Sequence, residues 1–148
     1  MRLRGSRKSG EVVGGLGRSS DPYKQPDCHV KVGDTLKRVQ CYELVEFMMR
    51  PEGRPDFTVC GPSGECVSVS VEDRLRVIEI SGSEVMVDVE EGMCVKLGGR
   101  LGSIITGKGE VRSVRSDVSG VVVLVHEVPV SRPSTTLVFI KVGDCVER

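Results

Sequence analysis

The sequence predicts an all-β fold, and three observations predict it. Apolar residues recur in short runs that alternate with charged ones, as in RLRVIEI at residues 74–80, which is the pattern of a half-buried sheet. The runs are separated by turn signals such as Gly61-Pro62-Ser63-Gly64 and Thr106-Gly107-Lys108-Gly109. Short strands so closely spaced point to a sandwich or barrel, not to a parallel sheet with crossover helices.

Taken in order, residues 1–26 are basic and rich in Gly and Ser, with Arg2, Arg4, Arg7, Lys8, Arg18 and Lys24 against Glu11 and Asp21. Too few apolar groups are present to offset the entropy of ordering, so this stretch is expected to be a disordered tail. From Cys28, the segment CHVKVGDTL reads as a strand and a Gly-Asp turn, and its KVGD recurs at 141–144. That repeat hints at two equivalent corners. Segment 37–49, KRVQCYELVEFMM, carries two periods. Leu36, Val39, Tyr42 and Val45 fall near helical spacing with Asp34 as a possible cap, whereas Val39, Cys41, Val45 and Phe47 fit a strand. The β context on both sides favours the strand, ended by the turn Arg50-Pro51-Glu52-Gly53. Residues 56–60 and 66–69 form the clearest hairpin, and residues 85–89 and 137–142 supply further strands.

Composition narrows the function. A chain of 148 residues fits one domain, or a domain with an appendage. Lys+Arg and Asp+Glu both number 21, and aromatics make up 3% with no Trp, so neither a basic field nor a stacking platform argues for nucleic acid. No apolar run reaches the roughly 20 residues of a membrane helix. The N-terminal stretch lacks the apolar core of a secretory signal, and the expected compartment is the cytoplasm.

The stretch 90–125 organises the rest. It strings β-branched runs between glycines, and its Gly107-Lys108-Gly109 reads as a hairpin tip that presents Lys108 to solvent. EGMCVKLGGRLGSI, then the hairpin lysine, then VRSDVSGVV, resembles the biotinyl/lipoyl-attachment domain. The resemblance implies a barrel-sandwich hybrid, a flattened β-barrel of quasi-twofold symmetry, over residues 72–148, with a smaller β extension at 27–71. It also implies a lysine that carries biotin or lipoate on a swinging arm, here Lys108. The full length also resembles a small archaeal family of unknown function carrying such a domain. The plain reading of the same lysine is a solvated turn residue, with no cofactor.

The six cysteines are at 28, 41, 60, 66, 94 and 145. Buried free cysteine is a common core residue, and unbonded core or strand cysteines are the expectation. Cys60 and Cys66 flank a hairpin loop, which leaves open a cross-strand disulfide or half of a thiolate metal site. No C-x-x-C is present to support the metal. His29 and His126 are the only histidines, and neither lies in a nucleophile or metalloprotease motif. Cys28 and His29 are strand neighbours and point to opposite faces. The sequence therefore predicts no enzyme. It predicts a β scaffold that contacts a protein partner or a second copy. The alternatives are a biotin or lipoate carrier at Lys108, and a metal-binding or redox module built on Cys60, Cys66 and other cysteines.

Overall fold

The computed structural model describes residues 25–50 and 53–145. The basic tail expected at 1–26 lies outside the described residues except for Gln25 and Pro26, as do Pro51 and Glu52 of the expected turn. About half of the described residues are in strands, joined by one short helix. The expected all-β class holds.

The N-terminal sheet contains β1 (Asp27–Val32), β2 (Thr35–Val39), β3 (Phe57–Cys60) and β4 (Cys66–Val69) in the antiparallel order β2-β1-β3-β4. The first KVGD makes the β1–β2 turn, where the Thr35 hydroxyl donates to the Val32 carbonyl at 3.0 Å. The second follows a strand in a different sheet, where Gly143 N–H donates to Ser119 O. The two segments are not equivalent corners; a four-residue match carries too little information to fix a fold position. The β3–β4 hairpin forms where the sequence predicts it, and its register sets Cys60 opposite Cys66.

Segment 41–48 corrects the strand expectation: it is helix α1 (Cys41–Met48). Gln40, not Asp34, precedes it, and the Gln40 N–H donates to the Glu43 carboxylate at 3.2 Å as half of a capping box. Leu44 and Met48 are the buried residues, one turn apart, and the helix lays them on the sheet. The period-two reading failed because it placed Leu44 on the solvent side. Leu44 is fully buried, and burying such a side chain contributes roughly 1.5–3 kcal/mol.

The central sheet contains β5 (Leu75–Gly82), β7 (Cys94–Val95), β10 (Gly120–Glu127) and β11 (Ser134–Val142) in the order β5-β11-β10-β7. The third sheet contains β6 (Glu84–Val87), β8 (Arg100–Ile105) and β9 (Val111–Arg115) in the order β9-β8-β6. The central sheet is covered on both faces. Val123, Leu124 and Phe139 pack with Phe57, Val59 and Leu44 of the N-terminal layer, whereas Val122, Val138 and Ile140 pack with Ile80 and Leu101 on the other side. This explains why residues 121–125 read VVVLV without alternation. The pairing of β10 with β11 shifts between Val122 and Leu124, a bulge that lets the successive residues Val123 and Leu124 join the same core.

The turn between β4 and β5 is pinned. Arg54 donates to the carbonyls of Ser70 and Asp73 at 2.8 and 2.9 Å, and the Asp73 carboxylate accepts the Ser70 N–H at 2.8 Å. In the third sheet, a Cβ on Gly102 would overlap the Met86 carbonyl oxygen and lie 3.0 Å from the Val87 Cα. Only glycine lets β8 approach β6 so closely.

Candidate functional site

Lys108 is at the tip of the β8–β9 hairpin, as the sequence predicts, and is exposed. Gly109 N–H donates to Thr106 O at 2.9 Å and Thr106 N–H to Glu110 O at 2.8 Å. This closes a short loop in which Gly109 takes φ +86°. The Thr106 hydroxyl accepts the backbone N–H groups of Lys108 and Glu110 at 3.3 and 3.1 Å. Two of the loop amides are thus satisfied by one side chain, which stiffens the tip. Gly107 needs no unusual φ, and a Cβ there would meet nothing within 4 Å. The lysine backbone is held while its side chain stands in open space. That arrangement suits covalent attachment of a prosthetic group to the amine, and Gly107 and Gly109 add no bulk around it.

The sheet beneath the tip has two different faces. Val85, Val87, Ile104 and Val114 turn inward onto the second core. The alternate residues Met86, Ile105 and Val111 turn outward, and Met86 and Val111 are 44% and 68% exposed. β6 and β9 form the edges of this sheet.

The cysteines overturn the expectation of unbonded core residues. All six are paired, as Cys28–Cys41, Cys60–Cys66 and Cys94–Cys145. Cys60 and Cys66 form the cross-strand disulfide that their hairpin geometry permits, which removes them as thiolate metal ligands. No group of three or more His, Cys, Asp or Glu suited to a metal is found among the described residues. The other two pairs join segments whose proximity no local pattern reveals. Cys28 alternates with Val30 on the buried face of β1, and Cys41 opens the helix packed on that face. Sequence reasoning also missed what surrounds that pair. The disulfide lines an open cavity of about 650 Å³ that His126, on a distant strand, reaches as well. Desolvation by burial lowers the His126 pKa from its ordinary 6.5, and the neighbouring Glu127 charge opposes that shift.

Residues 54–142 match the model of a family described as "uncharacterized protein conserved in archaea (DUF2118)". The chain belongs to this family. The matched part runs from β3 to the end of β11 and contains the Lys108 hairpin and both cores' central strands. A search of curated proteins finds no match. Among the described residues, no helix is long and apolar enough to cross a membrane.

Proposed function

We propose that this family member is a non-catalytic cytoplasmic β scaffold that docks another protein, or a second copy of itself, through the β6–β8–β9 sheet. In this reading residues 72–148 form a barrel-sandwich hybrid of the attachment-domain type, and residues 27–71 are an extension packed on it. The observation that carries the reading is the outer face of this sheet, where Met86 on β6 and Val111 on β9 are exposed, each on an edge strand. Open edges and exposed apolar side chains are the surfaces proteins use to pair strands or stack sheets. Native mass measurement and affinity recovery from the source cells test it. Expected is a dimer or a defined complex that weakens at least tenfold when Met86 and Val111 are both replaced by Lys. A monodisperse monomer with no recovered partner sinks the reading.

A second reading has its own support in the tip. The stiffened hairpin and exposed amine of Lys108 suit a biotin or lipoate carrier. When bound, the group would supply a mobile acceptor for a carboxyl or acyl unit, and the chain would contribute only its presentation. Intact mass and peptide mapping of protein from its native source decide this. A biotin or lipoate increment on the Lys108 peptide, abolished in Lys108→Arg, supports the carrier. An unmodified peptide excludes it.

A further inference from the structure

The Cys28–Cys41 disulfide differs from the other two in its setting. Its Cα atoms are 5.3 Å apart, and it ties β1 to the first residue of α1. The sulfur of Cys41 belongs to the more exposed residue of the pair, since Cys28 is 1% exposed and Cys41 is half-buried. That sulfur lies 3.3 Å from the Pro26 carbonyl oxygen, on the wall of the cavity of about 650 Å³. A cavity of this volume is in the range that holds a small molecule. The charged groups around it are Asp27, Arg38, Glu43, His126 and Glu127. Arg38 and Asp27 are paired with each other at 2.8 Å, and Glu43 accepts the Gln40 N–H. Burial of His126, on β10, disfavours its charged form, and the uncharged imidazole keeps a ring nitrogen that can accept a proton.

We propose that Cys28–Cys41 is a redox-active disulfide that exchanges with a small dithiol bound in this cavity. The first thiol of the dithiol gives its proton to the His126 imidazole and attacks Cys41 Sγ. The Cys28–Cys41 bond breaks, and its electron pair leaves on Cys28 Sγ, which takes that proton from His126. The second thiol, losing its proton to water, attacks the first in the mixed disulfide. This closes the ligand's own disulfide and expels Cys41 as a thiolate. A thiolate at the first position of a helix is stabilised by the amides of the first turn and the helix dipole, so Cys41 leaves readily in this second step. Two electrons pass from the dithiol to the Cys28–Cys41 pair, and the dithiol leaves as a cyclic disulfide.

The test exposes the oxidised full chain to one equivalent of dithiothreitol, with timed alkylation and peptide mass mapping. Cys66 is exposed, so exposure alone would open Cys60–Cys66 first. The expected result is the reverse, with Cys28–Cys41 opening at least tenfold faster. With glutathione, which has no second thiol to resolve the intermediate, the adduct is expected on Cys41 with Cys28 free for alkylation. His126→Asn should slow the opening of Cys28–Cys41 several-fold and leave Cys60–Cys66 unchanged. Cys60–Cys66 opening first or at an equal rate, or Cys28–Cys41 opening only in denaturant, overturns the proposal. An adduct on Cys28 overturns the order of attack, and an unchanged rate in His126→Asn overturns the proton relay.

Discussion

Removing the Cys94–Cys145 disulfide by replacing both residues with Ser should destabilise the chain more than removing either of the others. The pair spans 51 positions in sequence, against 13 for Cys28–Cys41 and 6 for Cys60–Cys66. A cross-link acts chiefly by shrinking the unfolded ensemble, by an entropy that grows with the logarithm of the closed loop. At 25 °C that relation gives about 4 kcal/mol for the long loop, about 3 for the middle one and about 2 for the hairpin. In the fold, the long link joins β7 at one edge of the central sheet to the chain just beyond β11, with β10 between them. The assay is urea unfolding of the oxidised protein and the three Ser/Ser variants. A difference of about 2 kcal/mol between the long-loop and hairpin variants is expected. The long-loop variant should also show the larger denaturant slope, because its unfolded state gains the most surface. Equal losses, or a larger loss for Cys60→Ser/Cys66→Ser, would refute the reasoning that loop length ranks these links.

Phe139 is fully buried against Phe57 and Leu44, and Phe139→Ala should cost about 3–5 kcal/mol by calorimetry or urea unfolding; a loss under about 1 kcal/mol would mean that the two layers do not share a core. Gly102→Ala should cost at least about 1–3 kcal/mol, because β6 must move away from β8, and amide exchange should rise first in β6; unchanged exchange there contradicts the close approach. Stability should fall as the pH drops. The Ser70 N–H bond chiefly, with Lys141 nearby, holds Asp73 below its usual 3.8, so its contribution is complete above that value and is lost as pH falls through the lower folded value. The depressed His126 works the same way from 6.5 downward, since the unfolded chain binds the proton more readily. Urea midpoints against pH should lose the upper step in His126→Gln and shrink the lower one in Asp73→Asn; unaltered profiles would disprove both assignments.

Strands and tight turns were legible because their causes are local. Alternation along 74–80, the glycines of the 61–64 and 106–109 turns and the unbroken 121–125 run each act within a few residues, and the matching elements are where they point. The exposed lysine at the tip follows from the same local chemistry. The tertiary structure decided the rest. Whether segment 41–48 became helix or strand depended on which residues met the sheet, and burying Leu44 with Met48 settled it. The bulge that turns Val123 and Leu124 to one side answers a core that β3 and α1 supply from far away in the chain. Cysteine pairing is equally non-local. Residues 94 and 145, or 28 and 41, carry no mark of their partners until sheet order and helix docking place them together. The cavity that His126 and the Cys28–Cys41 disulfide share exists only once the N-terminal layer has packed on the central sheet, because side chains distant in sequence share a wall only through the fold.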